Sequence, residues 1–238
     1  GKEVLHHAAD NLTPVVLELG GKNPCIVDNT AKIKVAARRI VFGKFLNCGQ
    51  TCVAPDYVIC HSSVKEQLIK EILKQIKVQY GENILENYEY GKIVNEKHFN
   101  RICSLIDNNK VVFGGDKSLE KLKIGPTVMD NVFWDDAVMQ EEIFGPIFPV
   151  LTFKQIEEVT EFVAKRERPL ALYYFGKQGD YILRHTISGG TCINDVIMHI
   201  VNHDMPFGGV GNSGMGTYHG KESFMTFSHR RSVVSTPT

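Results

Sequence analysis

The sequence predicts an α/β protein with a mostly parallel, open twisted sheet covered by helices on both faces, and three observations lead there. Segments with apolar residues at helical spacing alternate with β-rich runs along the whole chain, the order of elements that builds a parallel sheet between helical layers. At 238 residues, 43% hydrophobic and 23% charged, the chain is long enough to bury one sizeable core or two small ones. No internal repeat or low-complexity linker interrupts it.

The first segment, Glu3 to Leu12, places Val4, Leu5, Ala8 and Leu12 on one side and reads as a helix; Val15 to Leu19 reads as a buried strand. Cys25 to Val27 is a second short strand. From Ala31 to Leu46 the positions Ile33, Ala36, Ala37, Ile40, Val41 and Phe45 keep helical spacing until Cys48 and Gly49 end it, and Asp56 to Cys60 is strand-like. Ser63 with Glu66 has the form of a capping box, opening a helix whose face is Leu68, Ile69, Ile72, Leu73, Ile76 and Tyr80. Further helices are expected at 95 to 107, 155 to 165 and 179 to 187, and strands at 110 to 113, 147 to 153, 171 to 175 and 190 to 194.

Twenty-seven basic residues balance twenty-seven acidic ones without a block of like charge, so neither nucleic acid nor an anionic membrane is the expected partner. The longest apolar stretches, such as Leu170 to Phe175, fall far short of the ~20 residues a membrane helix needs, and no signal peptide opens the chain. Six scattered cysteines lack the dense spacing of a disulfide-stapled domain, so a reducing, cytoplasmic setting is expected.

Cys52 closes the polar turn Asn47-Cys48-Gly49-Gln50-Thr51-Cys52 between a helix and a strand, a place for a nucleophile. A free thiol has a pKa of about 8.5, and backbone amides around Gly49 to Cys52 are the donors expected to make it reactive. Cys25, Cys60, Cys103 and Cys192 sit in apolar runs and read as core; Cys48 and Cys52 do not have a redox spacing, and no second Cys/His pair completes a metal site. Glu18 ends an apolar run at Glu18-Leu19-Gly20-Gly21-Lys22. There burial raises a carboxyl toward the range of a general base, unless the residue only pairs with Lys22 or another cation. Gln140-Glu141-Glu142-Ile143-Phe144-Gly145-Pro146 fixes a turn, with a structural salt bridge the expected fate of Glu141. Phe207-Gly208-Gly209 with Gly211, Gly214 and Gly216 forms a glycine-dense loop outside the G-x-G-x-x-G phosphate pattern, expected to border the substrate channel and to hold Asn194 near the site; a turn-forming role for Asn194 is the alternative. None of the nine histidines forms a ligand pair at helical spacing, and all read as structural or exposed.

In this order the four motifs resemble the NAD(P)-dependent aldehyde dehydrogenases, and the tail Met215-Gly216-Thr217-Tyr218-His219-Gly220-Lys221 with Phe227-Ser228-His229-Arg230-Arg231 resembles the family-3 branch. The resemblance implies that Cys52 forms a thiohemiacetal and then a thioester with a small-molecule aldehyde, that hydride passes to NAD or NADP, and that Glu18 activates the water that releases the acid. It also implies cofactor contacts at Leu19 and Gly20, nicotinamide-ribose contacts at Glu142 and Phe144, no metal, and a homodimer in the full-length protein. Gly1 resembles the last glycine of a cofactor-binding loop. The expected division is thus a remnant of the dinucleotide-binding domain over 1–18, a catalytic domain over 19–228 and the start of a bridging or oligomerisation segment over 229–238, with the chain alone expected to be nearly inactive. Two other readings stand beside it. A CoA-acylating relative would replace water with a thiol, against which Glu18 argues; a truncated, catalytically incompetent product would keep the fold as a structural or oligomerising module.

Overall fold

The computed structural model describes residues 1–238. In chain order the elements are α1 (Lys2–Ala9), β1 (Leu17–Glu18), β2 (Pro24–Val27), α2 (Ile33–Phe45), β3 (Tyr57–His61), α3 (Lys65–Tyr80), α4 (Glu96–Ser104), β4 (Val111–Phe113), β5 (Lys117–Ser118), β6 (Lys123–Ile124), β7 (Thr127–Met129), β8 (Ile147–Phe153), α5 (Ile156–Ala164), β9 (Ala171–Phe175), α6 (Gly179–His185), β10 (Gly190–Ile193), α7 (Met198–Val201), β11 (Gly214–Met215) and α8 (Gly220–Thr226). Seven strands form the central sheet in the order β10-β9-β2-β3-β8-β7-β4. All neighbours run parallel except the edge pair β4 and β7, with Ile26 beside Ile59 and Ile59 beside Leu151. The expected fold class is the observed one.

The strands are enclosed because they carry apolar residues on both faces: Cys25, Ile26, Val27, Val58 and Tyr173 have no exposed surface. From β2 the chain moves to β3 and β8 in one direction, then returns past β2 to β9 and β10. Right-handed crossovers in opposite directions put α2 and α5 on opposite faces of the sheet. Helix α2 buries Ala36, Ala37, Ile40, Val41 and Phe45, while α3, packed against it, buries the stripe Leu68, Ile72 and Ile76. Each such aliphatic side chain contributes about 1.5–3 kcal/mol by leaving water. No helix is long and apolar enough to cross a membrane.

Three expectations change. The buried strand expected over Val15 to Leu19 is only Leu17–Glu18 and stands outside the central sheet, paired antiparallel with Gly214–Met215. The Ser63/Glu66 capping box does not form: the Ser63 N–H donates to His61 Nδ1, Glu66 lies beside Lys65 in solvent, and the helix starts at Lys65. Strand β7, the hairpin of β5 and β6, and helices α7 and α8 are additional elements, each too short for periodicity to mark.

The two edges of the sheet differ. At the carboxyl edge, where the strand order reverses between β2 and β9, the crevice is filled by side chains. Asp28 accepts from the Thr30 N–H and hydroxyl at 2.6 Å each and from the Tyr174 hydroxyl, and Asn194 pairs with the Gly176 backbone. The loops entering β2, β3 and β8 converge instead at the amino edge.

Candidate active site

Helix α2 ends at Phe45, and the chain reverses through three left-handed residues, Asn47 (φ 51), Cys48 (φ 56) and Gly49 (φ 74). Asn tolerates this region, Cys pays roughly 1–2 kcal/mol for it, and such strain clusters where a turn must aim a functional group. The Cys48 thiol turns toward Tyr90 and Gly91, away from Cys52. Beyond the turn, Asn23, 1% exposed, is a bracket: its amide donates to the carbonyls of Cys52 (2.8 Å) and Ala54 (3.0 Å) and accepts from the Ala171 N–H (2.9 Å). The Tyr173 hydroxyl donates to the Val53 carbonyl, so the Cys52–Val53 peptide and the one after it are both tied to the sheet.

Glu18 reaches the same place from the antiparallel pair β1 and β11, where it stands opposite Gly214 while the Leu19 N–H donates to the Ser213 carbonyl. Burial raises its carboxyl above the usual range, and the neighbouring Cys52 thiol, leaning toward it, acts in the opposite sense. Its Oε1 is buried with no hydrogen-bond partner, and Lys22 is engaged elsewhere, so Glu18 is not the structural half of an ion pair. The Cys52 thiol is pushed up to about 11 by burial, then by the charge and hydrogen bond of Glu18 and the charge of Glu142; only the Val53 N–H pulls it down. The expectation that backbone amides activate this thiol at rest is therefore corrected. The reason is burial of the thiol in the turn, to which the neighbouring carboxyls of Glu18 and Glu142 add.

Glu142 crosses the site from the loop before β8. Its carboxylate lies over Gly20 so closely that a β-carbon there would stand 2.0 Å from Oε2. Burial raises it to about 7, against the Gly21 N–H and the charges of Lys22 and Lys44. The loop is pinned from two sides. Lys22 binds the Asp56 carboxylate and the carbonyls of Val138 and Glu141 (2.9 Å each), while Asp56 Oδ1 accepts from the Ile143 N–H (2.9 Å). Arg101 of α4 donates to the Ile143 carbonyl (2.6 Å) and to Glu141 (3.1 Å), so Glu141 does form a structural salt bridge. Phe144 is left with φ 46, a strained conformation for an aromatic residue, and is 41% exposed. A cleft of about 480 Å³ adjoins Glu142, Gly20 and Gly21, walled further by Tyr57, Trp134, Arg166 and Ser213; Cys52 and Glu18 lie beyond its walls.

The glycine-dense loop does border the site, because its Gly214 pairs with Glu18, yet it does not hold Asn194 there. Asn194 sits at the carboxyl edge with φ 59, bound to Gly176, in the turn-forming role. His199 is buried with Nδ1 3.2 Å from Cys192 Sγ, and burial lowers it to about 4, which keeps the ring neutral. No three His, Cys, Asp or Glu side chains converge to hold a metal ion. The sequence reading missed Asn23, Lys44, Asp56 and Tyr218, whose hydroxyl feels the charges of Glu18 and Cys52. A polar residue beside a strand, as Asn23 and Asp56 are, was the available signal.

A family model described as the aldehyde dehydrogenase family matches residues 1–233. The dimeric NADP-preferring aldehyde dehydrogenase of Rattus norvegicus is 51% identical over 237 residues, covering 98% of this chain and 52% of the relative. Aldehyde dehydrogenase family 3 member A2 of the same species is 50% identical over 234 residues, covering 97% and 48%. Among solved structures, the substrate-bound state of Staphylococcus aureus AldH superposes with a TM-score of 0.94 at 47% identity, covering 100% of this chain and 54% of that one. The chain spans about half the length of the relatives it matches.

Proposed function

This chain belongs to the aldehyde dehydrogenase family, and from that membership we propose that it carries the catalytic centre for oxidising an aldehyde to a carboxylic acid with NAD or NADP. The residues present fit a nicotinamide dinucleotide: Glu142, close over the bare α-carbon of Gly20, would accept from ribose hydroxyls, and the exposed aromatic Phe144 would pack against the group. Leu19 and Gly20 would line the same approach. When bound, the dinucleotide supplies the acceptor for the hydride that leaves the thiohemiacetal carbon and turns it into a thioester.

The chain's own residues do the rest. Cys52 Sγ attacks the carbonyl carbon as its proton passes to Glu18, whose raised affinity for a proton makes it a competent acceptor. Glu18 releases that proton to solvent and later takes one from the water whose oxygen attacks the thioester carbon. Collapse of that adduct breaks the carbon–sulfur bond, Glu18 hands its proton to the departing sulfur to restore the thiol, and the acid departs. The observation that carries this reading is that Glu18 and Cys52, from segments 34 residues apart, come together half-buried, with Glu18 Oε1 left without a hydrogen-bond partner.

In the full-length protein, Glu18→Gln keeps shape and removes the base. A single burst of NADH or NADPH should survive while steady turnover falls by at least ~100-fold and an acyl adduct accumulates on Cys52, read by intact mass. Steady turnover within a few-fold of wild type removes Glu18 from the mechanism.

The same reading assigns residues 1–18 to a neighbouring dinucleotide-binding domain, 19–228 to the catalytic domain and 229–238 to a bridging segment; the absence of any buried residue in α1 supports the first division. Six free thiols suit a reducing, cytoplasmic setting. The description of the rat relative as dimeric supports a homodimer for the full-length protein.

A further inference from the structure

Lys22 stands four residues after Glu18, and Asp56 stands four residues after Cys52. Their side chains, 15% and 4% exposed, meet with Lys22 Nζ 2.5 Å from Asp56 Oδ2. Both then reach the third segment of the site. Lys22 donates to the Glu141 carbonyl, which belongs to the peptide before Glu142, and Asp56 Oδ1 accepts from the Ile143 N–H, which belongs to the peptide after it, each at 2.9 Å. The backbone on either side of the Glu142 α-carbon is thus held by the two halves of one ion pair. Little is left over for a ligand: the three N–H groups of Lys22 already have three acceptors, in Asp56, Glu141 and the Val138 carbonyl at 2.9 Å, and each Asp56 oxygen already has a donor. A buried ion pair is often no more stabilising than apolar side chains of the same volume, and fixing register is its best-attested use.

We propose that Lys22 and Asp56 are positioning residues that act as one clasp: it keeps the segments carrying Glu18, Cys52 and Glu142 in fixed register, so that the Glu142 carboxylate stays where the hydroxyls of a ribose reach it. The role rests on the reading of Glu142 given above. Neighbouring contacts do not duplicate it. Arg101 holds the Glu142 loop from outside, at the Glu141 side chain and the carbonyls of Glu142 and Ile143, and bonds to neither of the other two segments. Asn23 ties the Cys52 turn to the sheet without bonding to the Glu142 loop. The ion pair spans all three.

In the full-length protein, Asp56→Asn keeps an acceptor for the Ile143 N–H and removes the charge that holds Lys22. Hydrogen exchange read by mass spectrometry, without cofactor, should quicken at least about tenfold across residues 138–146 and stay unchanged across α3. Calorimetry should show dinucleotide affinity at least about tenfold weaker. The direction is diagnostic, because losing a negative charge would by itself favour an anionic dinucleotide. Unchanged exchange overturns the proposal even where Tm falls, since the pair is then purely structural. Quickened exchange with unchanged affinity also overturns it, and Glu142→Gln shows where the fault lies: affinity lost in that variant leaves the ribose reading standing and the clasp refuted, whereas affinity kept refutes the ribose reading and the clasp's role with it. Should Asp56→Asn fail to fold, Lys22→Met/Asp56→Asn leaves no lone buried charge and takes the same two measurements.

Discussion

The α-carbon of Gly49 sits against the carbonyl oxygen of Gly145 so closely that a β-carbon built there would be 2.3 Å from it. This contact locks the turn that delivers Cys52 to the loop that carries Glu142 and Phe144. With φ at 74, only glycine suits the position. Gly49→Ala combines backbone strain with a clash against backbone, so unfolding free energy should fall by about 2–4 kcal/mol and Tm by roughly 5–15 °C in calorimetry. A loss below about 1 kcal/mol would show that the two loops move independently.

Asn23 satisfies three backbone groups at once, and its loss leaves the Ala171 N–H and two carbonyls unpaired in a dry site. Asn23→Ala should destabilise by about 2–4 kcal/mol in denaturant titration. The effect on Cys52 should be separable from that: its alkylation rate at a fixed pH should rise as the turn loosens and the thiol gains access to water. An unchanged rate with full stability would mean the bracket is dispensable.

The resting Cys52 thiol, held near 11, should react with an alkylating reagent at a rate that climbs about tenfold per pH unit from pH 7 to pH 10 without a plateau. Glu18→Gln removes a negative charge that raises the thiol, so the whole profile should move to lower pH. A plateau near pH 7 in the wild type would mean the thiol is already ionised.

Glu142 holds its proton more tightly folded, at about 7, than a carboxyl of ordinary value 4.5 does in the unfolded chain. Its contribution to stability is therefore complete below 4.5 and is lost as pH rises through 7. Wild-type stability should decline across this window by up to about 2 kcal/mol, and Glu142→Gln should flatten that slope. An identical slope in the two proteins would place the carboxyl in water.

Much of this fold was legible because its central elements are long and periodic. The stripe of Leu68, Ile72 and Ile76 and the face of Ala36, Ala37, Ile40 and Val41 appear buried as their spacing predicts. What could not be read depends on partners distant in the chain. The pairing of Glu18 with Gly214 leaves no local period, and neither does the three-way bond of Asn23. The fate of Ser63 was decided by His61, whose ring took the N–H that a capping box would use. Cys52 and Glu18 stood out by motif. Their electrostatics did not, because the raised proton affinity of Cys52 follows from burial and from two carboxyls brought in by distant segments.

The carboxyls around Cys52 carry a cost and a benefit for the life of the protein. A thiolate kept ready at rest would be open to peroxide, advancing toward sulfenic and then irreversible sulfinic acid. Burial and the carboxyls of Glu18 and Glu142 raise the proton affinity of the Cys52 thiol instead, so peroxide should consume it more slowly than a thiol ionised at neutral pH. Standing reactivity is given up in exchange for chemical durability at this sulfur.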